Sequence, residues 1–262
     1  MNSLILKALV FAFFIVVILP AHAEAENALK LRGIKGNDDR TRVDISEYPW
    51  RTIGRINKEG SFCTGVLVAE DMVLTAAHCF WNKRTRRWSD ASLYFFVLGY
   101  EKGQYVDVAK GVRYQTAFKT QPDLSKAKLR RDQDWALLKI NKPLGKKHGF
   151  VKTDPQLLVS LNHRRQSNNV YQAGYSRDYA HVLTVHKKCG ILDVIKPQEE
   201  MKPVYLHSCD ATMGDSGSPI FAFSKNEFSL IAVHSATSKT RNGRTVGIAV
   251  PVSNFLPYID KK

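Results

Sequence analysis

"HSCDATMGDSGSPIF", residues 207–221, contains the segment "GDSGSP" (214–219), in which Ser216 has one glycine two residues before it and another directly after it. A serine hydroxyl is a poor nucleophile unless a neighbouring imidazole takes its proton. Flanking glycines let the backbone turn tightly, so that N–H groups can converge on an oxyanion. The stretch therefore predicts a nucleophile, if the rest of the chain supplies its base.

Two other stretches supply the missing groups. "LTAAHCF" (74–80) contains His78, and "RDQDWALLKI" (131–140) contains Asp134. An imidazole that acts as a base needs a carboxylate to fix its tautomer and to stabilise the imidazolium. Asp132, two residues before Asp134, is an alternative for that carboxylate.

The apolar segments of the chain are short and rich in valine, isoleucine, phenylalanine and tyrosine. Examples are "GVLVA", "SLYFFVLGY", "WALLKI", "SLIAVHS" and "RTVGIAVPV". Such segments, separated by turn residues, predict an all-β protein of antiparallel sandwiches or barrels. Helical candidates are 123–131 and the tail "VSNFLPYID" (252–260), and the turn-rich 146–156 is the candidate boundary between two halves.

The first 23 residues have the pattern of a secretory signal peptide. Lys7 precedes an apolar run from Ala8 to Pro20, and Ala21-His22-Ala23 is a typical cleavage site. The alternative is a membrane anchor, but the run is short for a span of roughly 20 residues. We expect a secreted or periplasmic protein without a membrane span.

The chain has four cysteines, Cys63, Cys79, Cys189 and Cys209. In an oxidising compartment they favour two disulfides, for which three connectivities exist. No C-x-x-C pair is present, so the spacing does not predict a zinc ribbon. We expect no metal and no cofactor.

The formal net charge is +15, and the positive residues are clustered. The clusters are "NKRTRRW" (82–88), "KAKLRR" (126–131), Lys146-Lys147 and Arg164-Arg165. Such loops can bind an anionic surface or polyanion, or can simply be solvated. No DNA- or RNA-binding motif accompanies the charge, so no specific nucleic acid is expected.

Taken together, the "TAAHC", "DWALL" and "GDSGSP" segments resemble those of the chymotrypsin-like (trypsin-fold) serine proteases. They come in that family's order, with separations of 56 and 82 residues between His78, Asp134 and Ser216. The resemblance covers roughly residue 34 to the C-terminus. It implies two antiparallel six-stranded β-barrels, about 33–148 and 149–262, with a short C-terminal helix.

The same resemblance implies the roles of the site residues. His78 would be general base and then general acid, Asp134 rather than Asp132 its orienter, and Ser216 the nucleophile that forms an acyl-enzyme. The N–H groups of Gly214 and Ser216 would form the oxyanion hole. The resemblance also implies the disulfides, which would join Cys63 to Cys79 and Cys189 to Cys209.

The segment "GIKGNDDRTRVDISEYPWRTIGRI" (33–56) looks like the bacterial branch that includes glutamyl endopeptidases. By this resemblance, residues 24–32 are a short propeptide, and Arg32-Gly33 is a plausible processing bond. The α-amino group released there would pair with Asp215 and order the oxyanion hole, as in the zymogens of the family.

Two residues suggest opposite substrate preferences. Asp210, six residues before Ser216, stands where trypsins hold the aspartate that binds a substrate arginine or lysine, and this is the preference expected. His234 matches a histidine that helps glutamyl-specific relatives to hold a substrate carboxylate, so Glu/Asp or broad specificity is the alternative. Ser235, next to His234, is a further candidate for substrate binding.

Two classes of function are therefore open. The first is a secreted serine endopeptidase acting on polypeptides, and the second is a catalytically silent homologue that binds polyanions through its basic loops. Silent members typically lose the histidine or the serine, whereas this chain keeps His78, Asp134, Ser216 and Gly214. The sequence favours an active endopeptidase, and we expect a monomer because no assembly module is visible.

Overall fold

The computed structural model describes residues 31–118, 121–124, 129–153, 167–196 and 198–259. The expected signal peptide (1–23) and all but the last two residues of the expected propeptide (24–32) lie outside these ranges. The strands in the described ranges are β1 (Arg40–Arg42), β2 (Ile53–Lys58), β3 (Ser61–Ala69), β4 (Met72–Thr75), β5 (Trp81–Asn82), β6 (Arg87–Trp88), β7 (Phe95–Leu98), β8 (Asp107–Thr116), β9 (Ala136–Ile140), β10 (Ser167–Gly174), β11 (Thr184–Ile195), β12 (Val204–His207), β13 (Pro219–Ser224), β14 (Glu227–Lys239) and β15 (Thr245–Pro251).

The first barrel is a closed antiparallel sheet in the order β2-β3-β4-β9-β8-β7. Its apolar side chains fill the interior, where Leu67, Phe96 and Leu138 are fully buried. Strands β4 and β9 pair with each other, from Met72 opposite Lys139 to Thr75 opposite Ala136. This pairing brings the chain just after β4, which contains His78, next to the chain just before β9, which contains Asp134.

The second barrel has the order β11-β10-β13-β14-β15-β12, and β12 pairs back onto β11 to close it. Val170, Val185 and Phe221 are fully buried in its interior. The two six-stranded barrels expected from the sequence are thus confirmed. β1, which lies within the range expected for the first barrel, pairs with β11 of the second.

Helices are few in the described residues. They are α1 (Leu144–His148) and α2 (Leu256–Ile259), with 3-10 turns at Trp50–Thr52, Ala77–Phe80, Ala91–Leu93, Arg131–Gln133, Arg177–Tyr179 and Val252–Asn254. The expected short C-terminal helix is therefore confirmed as α2, whose Tyr258 ring lies 5.1 Å from that of Trp135. Among the described helices, none has the length and apolar character needed to cross a membrane.

Both expected disulfides are confirmed. Cys63 in β3 is bonded to Cys79, and Cys189 in β11 is bonded to Cys209. The first bridge ties the 3-10 turn that carries His78 to the wall of the first barrel. The second bridge ties the chain leading to Ser216 to the second barrel.

Candidate active site

His78, Asp134 and Ser216 form one hydrogen-bonded chain. Nδ1 of His78 lies 2.8 Å from Oδ2 of Asp134, and Nε2 lies 2.8 Å from Oγ of Ser216. The backbone N–H of His78 also donates to Oδ1 of Asp134, at 2.9 Å. The carboxylate is fully buried, whereas the imidazole is 35% exposed and can be reached from outside. In this arrangement the carboxylate holds Nδ1 protonated and leaves Nε2 free to accept the serine proton.

Local packing fixes the imidazole. In the 3-10 turn Ala77–Phe80, Ala77 and Phe80 are buried in the first barrel, while Cys79 is held by its disulfide and by the hydroxyl of Tyr94, which donates to its carbonyl at 3.0 Å. His78, between these anchored neighbours, is the residue that projects. Packing of its immediate neighbours in the sequence thus positions the side chain of His78, and no long helix is needed.

Asp132, the alternative carboxylate, has other partners. It is buried, and its Oδ2 accepts from Nη2 of Arg130 at 2.9 Å and from the N–H of Lys202 at 3.1 Å. Its backbone carbonyl accepts from the side chain of Asn254. Asp132 therefore fastens the loop before β9, and the carboxylate at the imidazole is that of Asp134.

Hydrogen bonds between the barrels place the serine against the histidine. The N–H of Thr64 in β3 donates to the carbonyl of Ser216 at 2.9 Å, and its hydroxyl donates to the carbonyl of Gly214 at 3.0 Å. Gly217 has φ +83°, and a Cβ there would lie 2.2 Å from Oγ1 of Thr75. A glycine is needed at this position because β3 and β4 lie directly against the serine loop.

The charges of the site favour an ionised aspartate. Burial alone would raise the pKa of Asp134, but the charge of His78 and hydrogen bonds from His78 and Ser235 lower it. Desolvation alone would lower the pKa of His78, but the charge of Asp134 and its hydrogen bond together outweigh desolvation and raise that pKa. The charges of Arg131 and Lys83 oppose this rise. The pair thus combines a permanent anion with an imidazole that binds a proton readily.

Ser235, expected to bind substrate, contacts Asp134 with its side chain. It is buried, and its hydroxyl donates to Oδ2 of Asp134 at 2.5 Å. The side chain therefore supplies Asp134 with another donor and helps to keep it ionised. Its backbone lies in β14, directly after His234.

The backbone around Gly214 presents two free donors. Gly214 has φ +97°, a conformation that side-chain-bearing residues rarely adopt. Within the described residues, neither the N–H of Gly214 nor that of Ser216 is used in a hydrogen bond. Two unused N–H groups beside the serine Oγ are what an oxyanion hole requires.

Asp215, expected to bind a released α-amino group, is buried among other donors. It accepts hydrogen bonds from the hydroxyl of Ser176 at 2.6 Å and from the N–H of Thr212 at 2.7 Å. Burial raises the pKa of Asp215 to about 6, although these bonds and the charge of Arg40 oppose the shift. Hydrogen bonds from Ser176 and Thr212 thus hold the carboxylate of Asp215 in the unprocessed chain, where Gly33 has no free α-amino group.

Asp210 does not have the surroundings expected for a free acceptor of a substrate cation. It accepts from the N–H of Lys35 at 2.6 Å and from the N–H of Asp39 at 3.2 Å, and its Oδ2 lies 3.1 Å from Nδ1 of His186. A carboxylate offers about four acceptor positions, so most are already occupied. Burial would raise the pKa of Asp210, but these hydrogen bonds lower it. Asp210 therefore anchors the N-terminal segment.

The ammonium group of Lys35 lies in the same cluster. Its Nζ donates to the carbonyl of Gly33 at 3.1 Å and to that of Cys209. Desolvation lowers the pKa of Lys35 to about 8, against the opposing charges of Asp210 and Asp215. At pH 7 the group is still mainly charged, so a buried cation stands beside Asp210.

His234 is paired with a second histidine. Nδ1 of His234 lies 3.0 Å from Nε2 of His207, and both side chains are buried. Burial is the main cause of the low pKa values, about 3 for His234 and well below the ordinary value for His207, and the charge of Lys35 lowers both further. Gly247 makes room for the pair, because a Cβ there would lie 2.1 Å from the ring of His207. Both imidazoles are therefore neutral at pH 7.

Lys35, Ser176, His186 and His207 are residues of the site that sequence reasoning missed. Each contacts its partner from a distant part of the chain, and no local motif marks it. Asp39, His186 and Asp210 could also offer ligand atoms within 4.8 Å of one another. Asp210 is already hydrogen-bonded, and Nδ1 of His186 lies 3.0 Å from the backbone nitrogen of Asp210 and 3.1 Å from its Oδ2, so few lone pairs are free for a metal ion.

Comparison with known proteins agrees with this geometry. A profile of the family Trypsin matches residues 39–259. Serine protease 23 of Homo sapiens is 26% identical over 212 residues, which cover 72% of this chain and 51% of the relative. The Mus musculus protein of the same name is 27% identical over 214 residues, covering 72% and 51%. The chain thus spans about half the length of the curated relatives it matches.

Two solved structures share the fold. A Glu endopeptidase in complex with MPD matches with a TM-score of 0.66 and 20% identity, over 87% of this chain and 97% of the other. The Vibrio cholerae VesB protease matches with a TM-score of 0.61 and 16% identity, over 86% and 67%. At these identities the likeness establishes the fold alone.

Proposed function

Because the chain belongs to the trypsin family of serine proteases, we propose that it is a serine endopeptidase that uses His78, Asp134 and Ser216. The observation that carries this proposal is the continuous hydrogen-bonded chain from the buried Asp134 through His78 to Ser216. A silent polyanion-binding homologue would have no need to keep this alignment together with two free N–H donors.

The proposed reaction has two halves. Nε2 of His78 takes the hydroxyl proton of Ser216 while Oγ bonds to the substrate carbonyl carbon, and the N–H groups of Gly214 and Ser216 stabilise the oxyanion. The intermediate collapses, the C–N bond breaks, and His78 gives the proton to the departing amine. A water then attacks the acyl-enzyme with His78 again as base, which releases the acid and regenerates Ser216.

A fluorophosphonate probe tests this chemistry directly. We expect the purified protein to be labelled on Ser216 and S216A to remain unlabelled while keeping its thermal transition. H78A, which keeps the nucleophile but removes its base, should label at least 100-fold more slowly, in line with the contribution of general base catalysis. Absence of labelling in a folded protein that cleaves no peptide would exclude the endopeptidase.

We further propose that the residue before the cleaved bond is acidic, in place of the arginine or lysine expected from the sequence. Asp210 is committed to the N-terminal segment, and the charged Lys35 beside it would repel a substrate cation. The paired imidazoles of His207 and His234 can donate a hydrogen bond outward while remaining neutral. A substrate carboxylate therefore fits these charges better than an ammonium or guanidinium group, and the Glu endopeptidase among the structural neighbours is consistent with this preference.

Three peptides that differ only in glutamate, glutamine or arginine before the cleaved bond test the preference. We expect glutamate to be favoured, and H234L to reduce kcat/KM for that peptide by about 10- to 100-fold, the value of a hydrogen bond to a charged group. H181L is the matched control, since His181 is exposed and bonds Tyr100 instead. Preferred cleavage after arginine that is lost in D210S would restore the original interpretation.

Secretion and processing complete the proposal. Residues 1–23 would be removed as a signal peptide and 24–32 as a propeptide, with cleavage at Arg32-Gly33. The N–H of Ile34 donates to the carbonyl of Leu31 at 3.1 Å, so this bond lies within a turn at the start of the domain. N-terminal sequencing of the exported protein tests it. An N-terminus at Met1 or Glu24 in fully active enzyme would contradict the processing step.

A further inference from the structure

A short hairpin follows the candidate base directly. Strands β5 and β6 pair Trp81 with Trp88 and Asn82 with Arg87. The tip is ordered by Asn82, whose Oδ1 accepts from the N–H of Arg84 at 2.9 Å and from that of Thr85 at 3.1 Å. Such hydrogen bonds hold the backbone of the turn from which the side chains project.

The base of the hairpin is joined to the first barrel. The N–H of Ser89 donates to the carbonyl of Phe80 at 2.8 Å, and Phe80 is fully buried. The rings of Trp81 and Trp88 meet edge to face at 5.7 Å, and Nε1 of Trp88 donates to the carbonyl of Pro122 at 2.7 Å. Because Phe80 belongs to the turn that carries His78, the hairpin is attached rigidly to the site.

The hairpin tip carries four exposed cations, Lys83, Arg84, Arg86 and Arg87. Across the described ranges, none of them forms a salt bridge with an acidic side chain. The charge of Lys83 also reaches the imidazole of His78, where it lowers the pKa. This concentration of unneutralised charge beside a reactive group attracts a mobile anion.

The chemistry indicates which part of a substrate passes the hairpin. His78 must give its proton to the departing amine, so the segment that follows the cleaved bond lies on the imidazole side of the nucleophile. The hairpin begins directly after the 3-10 turn Ala77–Phe80, which carries this imidazole. An anionic partner held by the hairpin is therefore placed on the leaving-group side.

We propose that the hairpin Trp81–Trp88 is a docking site for acidic residues of the polypeptide substrate on the C-terminal side of the cleaved bond. This inference rests on the proposed endopeptidase function and adds a second determinant of specificity, separate from the pair His207 and His234. The partner proposed is an acidic peptide rather than a lipid surface or a polysaccharide, because the charges are few, lie on one short turn and belong to a hairpin that directly follows the turn with His78.

The size of the effect follows from the exposure of these charges. One exposed ion pair changes an equilibrium by a factor of about 1.4 to 5. Several pairs formed together predict a preference on the order of tenfold for an acidic over a neutral extension. The preference should weaken as salt rises, because the Debye length is about 10 Å at 0.1 M and about 3 Å at 1 M.

The experiment compares three peptides with one cleavable core. All three have the same glutamate directly before the cleaved bond, and the rate is measured for cleavage of that bond alone. One carries four glutamates after the bond, one carries four glutamines there, and one carries four glutamates on the N-terminal side of the shared glutamate. The enzymes are the wild type, the hairpin variant K83E/R84E/R86E/R87E and the control K110E/K146E/K187E/K225E. The control reverses four exposed lysines on other elements, so both variants change the net charge equally.

We expect the wild type and the control to favour the first peptide about tenfold in kcat/KM over the second. The hairpin variant should lose this preference while cleaving the glutamine peptide at a similar rate on the high-pH plateau. Its pH–rate profile for the glutamine peptide should also move to higher pH, because a cation that lowers the pKa of His78 has become an anion. Binding of the first peptide to S216A, followed by fluorescence anisotropy, should show the same order.

The outcomes separate this inference from the function on which it rests. If no peptide is cleaved but anisotropy retains the order, the endopeptidase fails and the docking site stands. The inference is overturned by equal rates for the first and second peptides, by an equal gain from the four N-terminal glutamates of the third peptide, or by a preference that persists in the hairpin variant. It is also overturned if the hairpin variant loses binding only to phosphatidylserine vesicles or to dextran sulfate.

Discussion

Replacing Gly214 with alanine is the sharpest test of the proposed oxyanion hole. A Cβ at this position would lie 2.4 Å from the carbonyl oxygen of Tyr175 and 2.7 Å from Cε2 of Phe62. The carbonyl cannot withdraw easily, because the N–H of Tyr175 is bonded at 2.9 Å to the Thr64 hydroxyl that also holds Gly214. The strain is therefore relieved by rotation of the peptide at residue 214, which turns its N–H away from the oxyanion.

The loss of one oxyanion donor costs about 100- to 1000-fold in kcat. We expect this loss in G214A with little change in KM, because the donor acts on the transition state more than on the bound substrate. The left-handed backbone adds about 1–2 kcal/mol of strain for alanine. The assays are kcat and KM on one peptide, the rate of fluorophosphonate labelling, and thermal unfolding of each protein.

G103A is the matched control for backbone strain. Gly103 has φ +90°, close to the +97° of Gly214, but a Cβ there would have no atom within 4 Å. We expect G103A to lose a comparable amount of stability from its backbone and to keep full activity. A G214A enzyme whose kcat stays within threefold of wild type would refute the reasoning, as would an equal loss of activity in G103A.

Three further predictions concern the supports of the site. In S235A the carboxylate of Asp134 loses one donor but keeps two from the histidine, so kcat should fall by up to about tenfold with KM unchanged; an unchanged kcat would mean that the hydroxyl is dispensable. The raised pKa of Asp215 means that its folded state favours the protonated form, so its stabilising contribution is full below about pH 4 and is lost as pH rises through about 6. Relative to D215N, the wild type should therefore lose about 3 kcal/mol of unfolding free energy between pH 4 and pH 7 in urea titrations, and parallel curves would count against the buried carboxylate. C189A/C209A removes a bridge between residues 20 apart and should cost about 3 kcal/mol by the loop-entropy estimate, measured by thermal unfolding, whereas a shift below 1 kcal/mol would show that the bridge is not a major constraint.

The site residues that the sequence indicated, and that the structure brings together, are carried by contiguous segments. His78 and Ser216 each lie in a segment whose neighbours also have a structural task. Phe80 enters the core, Cys79 forms the bridge to Cys63, and Gly217 fits against β3 and β4. Because these tasks are local, a few adjacent residues suffice to specify them. The two barrels followed from the same resemblance and are confirmed by the strand pairing.

The partners of Asp210 in the N-terminal segment could not be predicted from the sequence. Spacing alone placed Asp210 as an acceptor for a substrate cation, but spacing does not specify what folds over it. Lys35 and Asp39 reach this carboxylate from about 170 residues away, because β1 pairs with β11 rather than with the first barrel. The same residue type at the same spacing thus receives a structural role once two backbone N–H groups occupy it.

The contact between His207 and His234 is a second feature that the sequence did not indicate. His207 lies within the stretch that first indicated the nucleophile, yet nothing adjacent to it suggests a partner. In the second barrel it pairs with Gly247 of β15, and His234 pairs with Ala249 of the same strand. The imidazoles meet across β15 because Gly247 has no side chain to separate them. The contact between the two imidazoles, and the acidic preference proposed from it, therefore depends on the small residue of an intervening strand as well as on the histidines. The role of Gly247 can be recognised only once the strands of the barrel are paired.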